Sequence, residues 1–214
     1  KTDLLRLRVS SLQPQEIDAG LLRLWSDSRL CPHFHLALQS GSDAVLKRMR
    51  RRYTARQYVD SVEMIREAVP GVSITADVIV GFPGETEDDF EQTYGLCDEV
   101  GFADMHIFPY SVRPGTSAAH FTAQIDPVTK SSRMHRLLSL SQRHSTAFRE
   151  RFLGTSRPVL WESPKEAGRS GDWTGLTDNY IRVIGHSPRP LAGEITPARL
   201  WKQTEDLIVA QVLG

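Results

Sequence analysis

Residues Ala76-Asp77-Val78-Ile79-Val80-Gly81-Phe82-Pro83-Gly84-Glu85 decide the fold. An apolar run carrying one acid, Asp77, enters a Gly-Phe-Pro-Gly turn. It emerges into Thr86, Glu87, Asp88 and Asp89, the acidic first turn of a helix. A carboxylate inside an apolar strand is costly unless it has a partner. Glycines let backbone or ligand approach closely at the strand's carboxyl end, where open α/β sheets and barrels keep their sites. An ordinary strand–turn–helix joint would share these features, so the neighbouring segments decide.

Upstream, Leu4 to Val9 alternates like a strand, Ser10-Ser11-Leu12-Gln13-Pro14 follows, and a helix is expected over 14–26. His33 to Gln39 reads as a second strand, and Ser40-Gly41-Ser42-Asp43 as the N-cap of the next helix. Apolar residues recur at helical spacing over 55–68. Strand 72–80, helix 86–100, strand 105–110 and a long helix over 127–152 complete the pattern. Strands alternating with helices predict parallel β/α units with right-handed crossovers. Their carboxyl ends (Ser10-Ser11, Gln39 to Ser42, Asp77 to Gly84, Phe108 to Thr116) then share one face, rich in small, hydroxylated and amide residues that suit a polar ligand. Turns favour the same residue types.

From Leu153-Gly154 the character changes. Short β-like stretches at Pro158–Glu162, Gly175, Tyr180–Ile184, Leu191–Ile195 and Leu207–Leu213 predict a small antiparallel barrel over 153–214, after an α/β unit over 1–152. In the barrel, Trp161, Trp173, Tyr180 and Trp201 interleave with Arg157, Lys165, Arg169, Arg182 and Arg199. Aromatics in small barrels pack cores, and aromatics beside arginines also hold RNA.

The chain has 214 residues, 26 basic and 26 acidic, so any nucleic-acid surface must come from local clustering. Lys47-Arg48-Met49-Arg50-Arg51-Arg52 is such a cluster; it suits a helix C-terminus or an anionic partner. The apolar runs are too short for a membrane span. The two cysteines, Cys31 and Cys97, exclude a disulfide framework, and a reducing cytoplasm is expected. The seven histidines lack paired metal-ligand spacing, and Glu85, Asp88 and Asp89 fit a helix N-terminus; neither group is assigned chemistry. The opening Lys-Thr-Asp-Leu-Leu, without an initiator Met, suggests a segment of a longer protein.

Taken together, the segments running from Leu36 to Met49, Asp77 to Thr86 and Phe108 to Thr116 resemble the methylthiotransferases of the radical S-adenosylmethionine superfamily. The resemblance implies a partial parallel β/α barrel of the radical SAM type over 1–152 and a TRAM RNA-binding β-barrel over 153–214. Arg113-Pro114-Gly115-Thr116 is closer to the tRNA-modifying branch than to the ribosomal-protein branch. His106 to Ser111, with Ser10 to Pro14, is closest to the enzymes acting on threonylcarbamoyladenosine.

The family holds its radical-generating cluster with Cys-x-x-x-Cys-x-x-Cys and a second cluster in an amino-terminal domain; cluster iron needs thiolates. Neither Cys31 nor Cys97 matches a ligand of the two 4Fe-4S clusters, so this chain alone should be inactive and its missing partner is the amino-terminal part of the same protein. What the resemblance carries over is a cofactor half-site. Gln39 and Arg51 would face the ribose and methionine portion of S-adenosylmethionine, with Arg51 partly buried toward the carboxylate, and Ser40 would belong to the same cofactor site. Asp77 would accept from ribose or amine groups, and Ile79 and Ser111 would meet the adenine. In the intact enzyme a deoxyadenosyl radical would abstract hydrogen from C2 of the tRNA adenine, where a methylthio group is then built. Arg157, Lys165, Arg169, Tyr180 and Arg182 would contact tRNA. The alternatives are a ribosomal-protein aspartate methylthiotransferase and an RNA-binding module without catalysis.

Overall fold

The computed structural model describes residues 3–165 and 171–213. Three parallel strands, β1 (His33–His35), β2 (Ser73–Val80) and β3 (Asp104–Pro109), form a sheet in the order β1-β2-β3. Helix α3 (Ala55–Ala68) crosses between β1 and β2, α4 (Glu87–Val100) between β2 and β3, and α5 (Pro127–Glu150) packs back on β3. Alternation sorts the side chains. Phe34, Leu36, Leu38, Ile74, Ala76, Val78 and Val80 are buried among the helices with Tyr58, Ile65, Phe90, Phe102 and Leu137. The other face of the sheet carries His33, His35, Thr75, Asp77 and His106.

The helices begin where the sequence places caps. Thr54 and Thr86 each form a capping box with the residue three positions on, and Asp126 caps α5 ahead of Pro127. Short α2 (Asp43–Arg48) is capped by Ser42.

Two upstream expectations change. The alternating Leu4–Val9 run is not a strand; its backbone makes an isolated parallel bridge from Leu7 to Leu30, and further on Leu12 bridges Leu36. Its Arg6 guanidinium reaches instead to the carbonyls of Leu176 and Pro158, at 3.0 Å each. The expected helix 14–26 breaks into a 3₁₀ turn at Pro14–Glu16, helix α1 (Ala19–Leu22) capped by Asp18, and a second 3₁₀ turn at Arg23–Ser26.

Strands β4 (Ser156–Pro164), β5 (Asp172–Thr177), β6 (Arg182–His186), β7 (Ile195–Gln203) and β8 (Ile208–Val212) close into a barrel in the order β4-β5-β6-β8-β7. It is mixed rather than antiparallel. The chain skips one position after β6 to run as β7 beside β4, so β8, antiparallel to β7, returns parallel to β6. The stretch 191–195 is mostly turn; the strand begins at Ile195 and continues through Pro197. Trp161 fills the barrel core fully buried, its indole N–H donating to Thr196 Oγ1 at 2.8 Å. A Cβ on Gly185 would fall 2.5 Å from that ring, so a side chain cannot stand there. Phe148 and Phe152 pack into the same core from the end of α5 and the residues beyond it. Among the described residues no helix is long and apolar enough to cross a membrane.

Candidate functional site

The carboxyl ends of β1, β2 and β3 form the expected ledge. Beyond β1 the register slips by one residue: His35 pairs with Thr75, but Gln39 bridges Val78. Gln39 N–H donates to the Asp77 carbonyl at 2.8 Å, and its own carbonyl accepts from Ile79 N–H at 2.9 Å. The slip is accommodated by φ +66° at Gln39, a conformation that residues with a Cβ seldom adopt. Strain of this kind persists where the surroundings enforce it, commonly at ligand sites. Gln39, Asp77 and Ile79 thus lie on neighbouring strands at one level. Ser111, exposed, lies in the loop after β3, next to Tyr110, whose N–H donates to the Val80 carbonyl at 2.8 Å.

The Gly-Phe-Pro-Gly turn is built rigidly. Glu85 folds back to accept from the N–H groups of Gly81 and Phe82, and its carboxylate lies 3.6 Å from the buried Arg133. Burial pushes the Glu85 carboxyl above its ordinary range, against the pull of Arg133 and the two amides. Asp89, also buried, accepts from Ser42 Oγ, Thr86 and Arg48. Burial raises its pKa, but these donors together bring it below the usual carboxylate value. These acids lock the turn and the start of α4.

Ser40 belongs to the same locking system. It is buried, its Oγ is 3.1 Å from Thr93 Oγ1 on α4, and it accepts from Ser42 N–H at 3.2 Å. Arg51 departs from expectation in the other direction. It is exposed rather than partly buried, and its side chain forms no hydrogen bond or ion pair among the described residues. The cause is the end of α2. Arg50 takes φ +58°, its N–H bonds the Lys47 carbonyl, and Arg51 N–H bonds the Leu46 carbonyl, a Schellman closure that turns Arg51 outward. Arg48 is the member of the basic run that turns inward, to Asp89 and the Gly84 carbonyl.

The five residues expected at RNA divide. Lys165 and Arg182 are exposed, Arg182 pairing with Glu162 at 3.0 Å. Arg157 is held by both Asp178 oxygens (2.7 and 3.0 Å) and lies over the Phe152 ring. Tyr180 packs on His33, the ring centres 4.5 Å apart and the planes tilted by 36°, beneath the Arg8 guanidinium, joining the barrel to the sheet. Arg169 lies outside the described residues. Arg8 Nε donates to His33 Nδ1, and burial, with Arg8 and His35 alongside, lowers the His33 pKa to about 3.

Sequence reasoning missed His35 and His106. The usable signal was strand alternation, which puts both on the face of Asp77, rather than spacing along the chain.

A sequence profile described as the Radical SAM superfamily matches residues 9–97. The threonylcarbamoyladenosine tRNA methylthiotransferase of Bacillus subtilis is 37% identical over 92% of this chain and 44% of its own length. The tRNA-2-methylthio-N(6)-dimethylallyladenosine synthase of Geobacter sulfurreducens is 43% identical over 97% of this chain and 46% of its own. Over most of its length the chain is similar to radical SAM tRNA methylthiotransferases. It spans about half the length of the curated relatives it matches. The fold agrees with a solved radical SAM enzyme, coproporphyrinogen III oxidase from Escherichia coli (TM-score 0.55, 14% identity, 95% of this chain and 50% of that one).

The residues present suit one of the family's cofactors and not the other. The Asp77 carboxylate, about a third open, and the side-chain amide of Gln39 beside it are polar groups that would suit S-adenosylmethionine. An iron–sulfur cluster needs several accessible thiolates. Cys31 and Cys97 are buried, and burial pushes the Cys97 thiol up to about 12.

Proposed function

We propose that this chain is the cofactor- and tRNA-binding portion of a cytoplasmic tRNA methylthiotransferase acting at C2 of threonylcarbamoyladenosine. The observation that carries the proposal is identity of 35–43% to tRNA methylthiotransferases across at least 91% of the chain, both structural units included. Residues 153–214 are read as a TRAM domain. The closed five-stranded barrel with exposed Lys165 and Arg182 supports that reading.

When bound, S-adenosylmethionine supplies the radical chemistry and the methyl group. Asp77 and the Gln39 amide would bind its polar portion, Ile79 would pack on the adenine, and the backbone around Ser111 would accept or donate at the base edge. The rigid Glu85-capped turn fixes these groups before the ligand arrives, which is how positioning contributes to rate. Arg51, exposed, would reach either the cofactor carboxylate or an RNA phosphate.

The test is nucleoside mass spectrometry of tRNA from cells whose only methylthiotransferase is the full-length protein containing this chain. The 2-methylthio derivative of threonylcarbamoyladenosine is expected, and Asp77→Asn should abolish it. The dimethylallyl derivative would reassign the substrate. Thiolation of a ribosomal protein with unmodified tRNA would overturn the reading.

A further inference from the structure

Three adjacent strands present one donor each at the same level of the open face: His35 on β1, Asp77 on β2 and His106 on β3. Asp77 and His106 are register partners. His35 Nε2 lies 3.3 Å from Asp77 Oδ2, and the two imidazole centroids are 5.9 Å apart. One nitrogen from each ring and one carboxylate oxygen all fall within 4.8 Å of one another. Strand backbones fix this convergence, so it does not depend on a loop.

Two further features distinguish the cluster from a polar patch. The far nitrogen of His35, Nδ1, is 3.0 Å from Thr75 Oγ1. A hydroxyl that accepts from Nδ1–H selects the tautomer that leaves Nε2 free to ligate, the outer-sphere support typical of metal-bound histidines. The Asp77 carboxylate, two-thirds buried, forms no ion pair with Lys or Arg among the described residues; an imidazole is its single charged-type partner. A partly buried acid in that setting calls for a cation.

We propose that His35, Asp77 and His106 bind one divalent first-row transition ion. Two imidazoles and one carboxylate suit Zn²⁺, Fe²⁺ or Co²⁺ better than Mg²⁺ or Ca²⁺, which prefer oxygen ligands, and better than Cu⁺, which prefers sulfur. The exposed side of His106 and the open third of Asp77 leave coordination positions for water or a small ligand. The inference rests on these side chains alone. It stands whether or not Asp77 also serves S-adenosylmethionine.

The test uses the chain as it is, freed of metal, with Zn²⁺ as the probe in calorimetry and Co²⁺ in visible absorption. One equivalent should bind more tightly than any other. His106→Ala and Asp77→Asn should each weaken it by about 100-fold or more, while Thr75→Val should weaken it about 10- to 100-fold and leave the stoichiometry at one. His186→Ala, which removes an exposed imidazole paired with Asp172 alone, should change nothing. Because His106 is exposed, its variant should retain the far-UV circular dichroism of the parent. Retention of the tight equivalent in folded His106→Ala, or Zn²⁺ binding no tighter than at surface pairs, would overturn the site.

Discussion

Replacing Gly41 with alanine tests whether Ser40-Gly41-Ser42 is a structural latch on α4 rather than a ligand-facing loop. A Cβ there would lie 2.7 Å from Thr93 Cα, 2.9 Å from the Gln92 carbonyl oxygen and 3.1 Å from Leu96 Cβ. Carbon–carbon contact is comfortable at about 3.5–4.0 Å, so the methyl is roughly 1 Å too close. The nearest obstacles are helix backbone, which cannot rotate away. Relief therefore requires the turn and α4 to separate. That would stretch Gly41 N–H to Thr93 Oγ1, now 3.0 Å, and Ser40 Oγ to Thr93 Oγ1, now 3.1 Å. Overpacking costs about 1–3 kcal/mol, and each of the two buried hydrogen bonds adds about 1 kcal/mol when lost, giving about 3–5 kcal/mol. For a chain of this size the melting midpoint should fall by about 6–20 °C. Thermal unfolding by circular dichroism, with urea denaturation for the free energy, measures it. Gly95→Ala is the control. It sits on the same helix with nothing within 4 Å of the added carbon and should stabilise by about 0.5–1 kcal/mol. A Gly41→Ala loss below about 0.5 kcal/mol would refute the seating of α4 on this turn.

Three other outcomes follow from the same structure. Ser40→Ala should cost about 1 kcal/mol in urea denaturation while leaving S-adenosylmethionine affinity in the full-length protein unchanged, because its hydroxyl is committed to Thr93 and Ser42. Asp89 titrates below the ordinary carboxylate value when folded, so its stabilisation is full above the unfolded pKa and is lost as pH falls through the folded one; Asp89→Asn should flatten the acid side of the stability–pH curve. Arg157→Ala should destabilise by about 1–3 kcal/mol by stranding Asp178. Arg182→Ala should instead spare stability and lower the salt slope of tRNA binding by about one unit, read by filter binding at several salt concentrations.

The sequence was most readable where local chemistry and tertiary packing agree. Strand β2 combines β-branched residues with a Gly turn, α3 and α4 open on capping boxes, and α5 opens on Asp126-Pro127, so their ends fell within a residue or two of expectation. It misled where the partner was remote. Leu4 to Val9 alternates like a strand, but Arg6 is drawn to carbonyls more than 150 positions away and the run stays at the sheet's margin. Pro197 argues against a strand, and a local reading placed the fourth barrel strand too early. The structure accepts the proline opposite Pro158 across β4 and β7.

The same contrast separates the acids. Asp77, Glu85 and Asp89 look alike in a string, each an acid beside glycine, threonine or an apolar run. Glu85 and Asp89 are consumed by the donors around them: two backbone N–H groups and Arg133 for one, Ser42, Thr86 and Arg48 for the other. Their charge is neutralised inside the protein, and they serve to hold the turn. Asp77 stands on the opposite face of β2 with an imidazole at 3.3 Å and about a third of its side chain open. Desolvating a carboxylate without matching its charge is costly, and folding alone does not remove that cost here. A ligand cation, amine or hydroxyl can. The carboxylate that has no Arg or Lys partner among the described residues, rather than the acid-rich turn beside it, is therefore where the proposed site would draw its binding energy.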